Sequence, residues 1–291
     1  MDGAVRSYAF RRAKRRNRLP PQGTREGHVA NNQFVGAARD VGSRSRQEDN
    51  YDVHGLVDPD TGVLQYLLMI VADGMGGHTS GDVASTTAVN RFVEAFDPGR
   101  HVEDAQSIPK RLNDAAIEAN RAIGRAVEEN EALRGMGSTL VAALIAGDSL
   151  WWISIGDSPL FLFRGSDLVR LNEDHSMKPV YAQLMAEGRI AADDASSPKG
   201  SHMLRSALSG ADLTLVDLPG DPYRLMPGDQ LIVATDGIDS LRPEQIVETL
   251  LRHELGDAQT TVEALIAAVK QQNREYQDNV SVLLYSHMKN S

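Results

Sequence analysis

Residues 67–78 read Leu-Leu-Met-Ile-Val-Ala-Asp-Gly-Met-Gly-Gly-His, and this stretch decides the fold. Six consecutive apolar residues that end in a carboxylate and a glycine are typical of a strand buried on both faces. Residues 231–237 repeat the pattern as Leu-Ile-Val-Ala-Thr-Asp-Gly. For either segment alone a simple turn explains the Asp-Gly pair, because this dipeptide is common in hairpin turns. We therefore expect Asp73 and Asp236 at strand ends, where glycine lets the backbone turn.

Short β-rich runs and amphipathic helices alternate on both sides of these segments. The predicted strands are 34–41, 64–72, 138–146, 150–156, 160–164, 230–235 and 278–285. The predicted helices are 82–96, 108–129, 179–186, 243–253 and 260–273. Pro243 suits a first helical turn, and Asp257 lies near the cap of the last helix. Short links such as Gly147–Asp148 imply antiparallel neighbours, so the pattern predicts an α+β fold rather than a parallel doubly wound sheet.

Composition restricts the function classes. The 291 residues include no cysteine, which excludes disulfides, thiolate ligands and a cysteine nucleophile. The net charge of −10 argues against general nucleic-acid binding. Since no apolar run approaches the roughly 20 residues that cross a bilayer, we expect a cytoplasmic protein without a membrane span.

Residues 1–33 differ from the rest, with eight Lys and Arg against only Asp2 and Glu26. The excess of positive charge predicts a flexible, solvated basic arm, with a docking or membrane-surface role as the alternative. The segment lacks the apolar core of a secretory signal. We expect the remaining residues, 34–291, to form one domain.

Carboxylates recur at the ends of the predicted strands. Asp157 follows residues 151–156, Asp278 precedes the last strand, and Asp49 follows the first. If neighbouring strands bring these groups and Asp73 and Asp236 together, bound cations must offset their repulsion. Oxygen-only ligation favours Mg²⁺ or Mn²⁺, and two such ions can activate water for in-line hydrolysis of a phosphoryl group.

Arg44 lies five residues before Asp49, close enough in an extended segment to reach the same site. Its guanidinium fork would match two phosphoryl oxygens. Residues 76–81 resemble a phosphate-binding glycine loop, but the lysine of a P-loop is missing, so an NTPase or kinase has little support. His78 could orient water or substrate, or it could be a structural histidine.

Six segments together resemble the ordered motifs of the PPM family, the type 2C metal-dependent protein phosphatases, in its bacterial form. They are residues 44–49, 71–78, 137–139, 156–158, 234–237 and 278–279. The resemblance implies two packed antiparallel sheets flanked by helix pairs, a four-layer αββα sandwich. It also implies a mobile flap at about 176–202 that would help to select the phosphopeptide; from pattern alone, an ordinary surface excursion is the alternative for this loop-rich stretch.

The resemblance also implies residue roles. Asp49 and Asp73 would contact two Mn²⁺ or Mg²⁺ ions, with Asp73 bridging and Gly74 contributing its carbonyl. Asp236 and Asp278 would complete the site, and Arg44 would bind the substrate phosphate. Asp157 would hold a third, weaker ion together with Asp236.

The expected activity is hydrolysis of phosphoserine and phosphothreonine in proteins by a monomer that opposes a bacterial serine/threonine kinase. Met75 stands where animal relatives place a histidine that is proposed to be the general acid, so the acid is unassigned. The alternatives are a phosphatase for small metabolites and a non-catalytic phosphoprotein-binding regulator. Retention of all five aspartates and Arg44 disfavours the regulator.

Overall fold

A computed structural model describes residues 34–57, 64–76, 80–97, 104–190, 203–253 and 256–288. The predicted basic arm, His78 and positions 191–202 of the predicted flap lie outside these ranges.

Strands and helices follow one another in the grouping that the sequence predicts. The strands are β1 (Val35–Asp40), β2 (Asp49–Val57), β3 (Leu64–Met75), β4 (Gly137–Ser138), β5 (Leu140–Ala146), β6 (Ser149–Ile155), β7 (Leu160–Arg164), β8 (Asp167–Arg170), β9 (Tyr223–Arg224), β10 (Gln230–Ala234) and β11 (Val280–Ser286). The helices are α1 (Gly81–Phe96), α2 (Ile108–Glu129), α3 (Lys178–Ala186), α4 (Pro243–Arg252) and α5 (Ala258–Gln271). Short 3₁₀ turns occupy Ala105–Ser107, Glu131–Leu133 and Asp236–Ser240.

The strands form two antiparallel sheets. One has the order β1-β11-β10-β7-β8, and the other has the order β2-β3-β5-β6-β9, with β4 paired to β3. The β5–β6 hairpin turns at Gly147, whose φ of 57° suits glycine. The α+β class predicted from the sequence is confirmed.

Strand β3 is buried on both faces because its side chains alternate between two cores. Leu67, Met69 and Val71 belong to the core between the sheets. Leu68 and Ile70 belong to the core under α1 and α2. The continuous apolar run of this strand follows from that double burial.

The other sheet is covered in the same way. Leu231 and Val233 of β10 face the sheet that contains β3. Ile232 faces the opposite way and lies in the same core as Val262 and Leu265 of α5. The layers are therefore α1 with α2, one sheet, the other sheet, and α4 with α5. This is the predicted four-layer αββα sandwich.

Three strands were missed by the sequence prediction: β2, β8 and β9. Strand β2 lies at a sheet edge and carries Asp52 and His54, whose side chains bond to each other at 2.9 Å. Polar residues on an edge strand hide the apolar alternation that identifies a strand. In the described ranges, no helix is both long and apolar enough to cross a bilayer.

Candidate active site

The apolar core between the sheets gives way to carboxylates at one end of the sandwich. Asp73 follows Val71 on the inner face of β3, because side chains alternate along a strand. Asp49 is the direct partner of Asp73 in the β2–β3 ladder, so both side chains lie on this face. Two carboxylates are thus adjacent where the core ends.

The opposite sheet holds Asp49 in place. Its Oδ2 accepts hydrogen bonds from the Thr235 hydroxyl at 2.7 Å and the Ser281 hydroxyl at 3.0 Å. Its Oδ1 is buried without a hydrogen-bond partner. Burial raises the pKa of Asp49 to about 7, against these two hydrogen bonds and with further contributions from Asp236 and Asp278.

Asp73 is fixed through its backbone. Its N–H donates to the Thr139 hydroxyl at 2.9 Å, and its carbonyl accepts from the Thr139 N–H at 2.9 Å. Burial, followed by the charges of Asp49, Asp236 and Asp278, raises the pKa of its carboxyl well above the ordinary value. The side chain therefore lies in a strongly negative environment.

Asp236 opens the 3₁₀ turn that follows β10. Its interaction with the Asp73 side chain lowers its pKa, against the larger opposite effect of burial. Its Oδ1 is also buried without a partner. Burial and then Asp278 raise its pKa, so this carboxyl belongs to the same electrostatic cluster.

Asp278 and Arg44 form the rim of the cluster. The Arg44 guanidinium donates to Asp278 Oδ2 at 2.6 Å, and Asp278 Oδ1 accepts from the Asn279 N–H at 2.8 Å. Both side chains are exposed. The Arg44 segment is tied to this loop, because the Ser43 N–H donates to the Gln277 carbonyl at 2.9 Å. The predicted phosphate-binding arginine thus lies at the mouth of the site.

Asp157 lies just beyond the end of β6 and is buried. Its carbonyl accepts from Arg170 at 2.8 Å, and its Oδ2 is 4.0 Å from the Lys178 ammonium. Burial and then Asp236 raise its pKa to about 7, against the opposite effect of Lys178. Asp157 therefore interacts with the cluster on the side of α3.

The five predicted aspartates and Arg44 thus converge on one end of the sandwich. In the ranges that the structure describes, however, no three or more His, Asp or Glu side chains form a ready-made cation site. The donor chemistry nevertheless fits hard divalent cations, since the side-chain donors are carboxylate oxygens. Two of these oxygens, on Asp49 and Asp236, are buried without partners.

Comparison with known proteins identifies the family. The sequence profile of protein phosphatase 2C matches residues 42–277, which is most of the chain. This chain belongs to the protein phosphatase 2C family.

Relatives of this 2C phosphatase include the serine/threonine phosphatase stp of Listeria welshimeri. That protein is 32% identical over 217 residues, covering 75% of this chain and 83% of its own. The serine/threonine protein phosphatase PstP of Mycobacterium tuberculosis is 32% identical over 196 residues, covering 66% of this chain and 35% of that longer protein.

A solved structure of the PstP catalytic domain in complex with two manganese ions matches with a TM-score of 0.68. It is 28% identical and covers 88% of this chain and 98% of the other. The prediction of a serine/threonine protein phosphatase of the 2C family is confirmed, and the family is metal-dependent.

The predicted turn is found at Asp236, which begins the turn after β10, but not at Asp73, and in both Asp-Gly pairs the glycine allows close packing. Asp73 and Gly74 lie inside β3, which continues to Met75, and neither Gly74 nor Gly237 has a positive φ. A Cβ at Gly74 would lie 1.9 Å from the Gly81 carbonyl oxygen, and one at Gly237 would lie 2.0 Å from the Asn279 carbonyl oxygen. Glycine is needed because another backbone passes this close.

Three residues of the site escaped the sequence analysis: Thr235, Ser281 and Lys178. Each of the first two continues the inner face of its strand by one alternation, after Val233 and before Leu283. The sequence did contain a signal for Thr235 and Ser281, because each is a polar residue at a position where strand alternation predicts a core residue. Lys178 gave no such signal, because its neighbours come from distant segments.

Proposed function

We propose that this chain hydrolyses phosphoserine and phosphothreonine in proteins with two divalent cations held by Asp49, Asp73, Asp236 and Asp278. The supporting observation is that these carboxylates, from both sheets, meet at one end of the sandwich, with Asp278 at its exposed rim. There the buried, unpartnered Oδ1 atoms of Asp49 and Asp236 need positive charge. The carbonyl of Gly74 is proposed as a further oxygen ligand.

The chain's contribution is to hold the oxygens in place before the substrate arrives. Thr235 and Ser281 occupy one oxygen of Asp49 and leave the other for a cation. Hydrogen bonds that orient a ligating carboxylate are worth about 10- to 100-fold in metal affinity. Asp278 keeps acceptor capacity, because each carboxylate oxygen accepts two hydrogen bonds or ligand contacts.

Bound Mn²⁺ or Mg²⁺ supplies a positive charge that lowers the pKa of water and neutralises phosphoryl oxygens. A relative with two manganese ions favours Mn²⁺ as the first cation to test. Arg44 donates one N–H to Asp278, and its remaining N–H groups can donate to the oxygens of the phosphoryl group. Asp278 would thus orient Arg44 as well as bind a cation.

The substrates are proposed to be phosphoproteins made by a bacterial-type serine/threonine kinase, since such a kinase makes the monoester that this site would cleave. We further propose a monomeric, cytoplasmic phosphatase domain over residues 34–291, with residues 176–202 as a substrate-selecting flap. The relatives' names, stp and PstP as serine/threonine phosphatases, support the substrate class.

The test is phosphate release from a phosphothreonine peptide by wild type and Asp236→Asn, with Mn²⁺ and with chelator. We expect chelator to abolish release and the variant to lose at least about 100-fold in kcat/KM, as when a group acting on the transition state is removed. Asp167→Asn is the matched control, because Asp167 is exposed in β8. Equal activity of Asp236→Asn and wild type, or full activity in chelator, would refute the proposal.

A second arm compares the peptide with a sugar phosphate at equal concentration. A higher kcat/KM for the sugar phosphate would indicate a metabolite phosphatase on the same site. Tight peptide binding without release of phosphate would indicate a binding regulator instead.

A further inference from the structure

Lys178 lies beside the carboxylate that the family resemblance assigns to a third ion. Its ammonium nitrogen is 3.2 Å from Asp239 Oδ2 and 4.0 Å from Asp157 Oδ2. The Lys178 side chain is 30% exposed, whereas that of Asp157 is 5% exposed. A buried carboxylate that was expected to need a metal ion therefore already has a cation at ion-pair distance.

Lys178 and the carboxylates beside it shift each other's pKa in the directions expected for oppositely charged neighbours. Burial lowers the pKa of the Lys178 ammonium, but Asp239, Asp157 and Asp236 outweigh burial and leave the pKa above its ordinary value. Lys178 in turn opposes the burial that raises the pKa of Asp157 and of Asp236. The Lys178 ammonium thus interacts with both carboxylates that a third ion would use, at ion-pair distance from Asp157.

The backbone around Lys178 is anchored, so the ammonium does not depend on a loose loop. The Lys178 N–H donates to the Ser176 hydroxyl at 3.2 Å, and Ser176 is fully buried. The Met177 N–H donates to the Met203 carbonyl at 3.0 Å. Lys178 is the first residue of α3, with Pro179 in the first turn.

We propose that Lys178 acts as a tethered cation in place of a third metal ion, leaving the centre of this phosphatase with two ions. The inference rests on the proposed two-ion function. Lys178 is a positioning residue, because its ammonium contacts Asp157 and Asp239 and is not assigned to the phosphoryl group. The family resemblance implies a third ion at Asp157, whereas we propose two ions. A third ion would have to displace the Lys178 ammonium from Asp157, at a cost in Coulomb energy.

The experiment counts bound Mn²⁺ on the full chain. Mn²⁺ is titrated into wild type, Lys178→Met and Lys178→Arg, and the free ion is followed by electron paramagnetic resonance. We expect two ions on wild type and on Lys178→Arg, and three on Lys178→Met. The third ion should bind Lys178→Met at least about tenfold more tightly than wild type. Lys110→Met is the matched control, because Lys110 pairs with Asp114 on an exposed part of α2.

Two outcomes would overturn the inference: three ions on wild type, or two ions on Lys178→Met. If Lys178→Met does not fold, as judged by its thermal melt, Asp157→Asn decides. This variant should still bind two ions, and a loss of one ion relative to wild type would contradict the tethered-cation role. Failure of the proposed function would differ, since wild type would then bind no Mn²⁺ or release no phosphate when Mn²⁺ is saturating.

Discussion

Replacing Asp49 with asparagine should stabilise the metal-free protein at pH 8 and destabilise the Mn²⁺-loaded protein. Asp49 is 4% exposed, and burial raises its pKa from 3.8 to about 7. Without cations, folding at pH 8 must therefore bury an ionised carboxylate among other carboxylates. Asparagine removes that charge and keeps an oxygen that can accept from Thr235 and Ser281.

The magnitude follows from the shift in pKa. A rise of about three pH units at about 1.4 kcal/mol each corresponds to on the order of 4 kcal/mol of unfolding free energy at pH 8. Because the folded pKa is the higher one, the native state binds more protons than the unfolded state between about pH 4 and pH 7. The wild type therefore loses this stability as pH rises through that window.

Burying the asparagine amide offsets part of the gain, at about 1–3 kcal/mol for an unsatisfied group. The net gain should be about 2 kcal/mol, which raises Tm by roughly 4–8 °C for a domain of this size. At pH 5, where Asp49 is protonated in the folded state, the gain should vanish. With Mn²⁺ bound, the order reverses because the variant has lost a ligand.

The assay is thermal unfolding of wild type, Asp49→Asn and the exposed-site control Asp167→Asn at pH 5 and pH 8, with chelator and with excess Mn²⁺. The control should follow wild type in all four conditions. If Asp49→Asn in chelator melts below wild type by the same amount at pH 8 as at pH 5, the buried charge does not govern stability and the reasoning is refuted.

Three further changes test separate parts of the site. Gly74→Ala should lower the free energy of unfolding, measured by chemical denaturation, by more than about 3 kcal/mol, because its Cβ would lie 1.9 Å from the Gly81 carbonyl oxygen. Gly220→Ala is the control, because a Cβ there has open space and the change should be near neutral. Equal losses for the two variants would contradict the close-approach explanation. Thr235→Val should weaken Mn²⁺ binding by about 10- to 100-fold in calorimetry, and unchanged affinity would remove its role in orienting a ligand. Arg44→Lys should lower kcat/KM for a phosphopeptide by about tenfold or more, because lysine lacks the bidentate fork of arginine. The affinity for Mn²⁺ should stay within about twofold of wild type. A loss of Mn²⁺ affinity with unchanged kcat/KM would count against a role of Arg44 in phosphate binding.

Much of the fold is readable from local patterns. Helix α2 has the predicted bounds, Ile108–Glu129, because its apolar positions recur at helical spacing without interruption. Asp257 caps the last helix by accepting from the Thr260 N–H at 2.8 Å, as its residue type predicts. Strand β9 has only two residues and pairs with β6, so tertiary contacts rather than propensity create it.

The site shows where sequence reasoning reaches its limit. The aspartates could be identified because burying a carboxylate at the end of an apolar run costs free energy unless the carboxylate binds a cation or accepts hydrogen bonds. The purpose of Gly74 could not be predicted, because the atom that excludes a side chain is the carbonyl oxygen of Gly81, in the first turn of α1. Lys178 could not be placed either, since its proximity to Asp157 depends on how α3 packs beside the end of β6.

The most direct test of the central claim is anomalous diffraction from crystals of the full chain grown with Mn²⁺. The proposal predicts two manganese peaks about 3.5–4 Å apart, each within ligand distance of oxygens from Asp49, Asp73, Asp236 or Asp278. Manganese bound elsewhere, with these four carboxylates free of metal at saturating Mn²⁺, would contradict it.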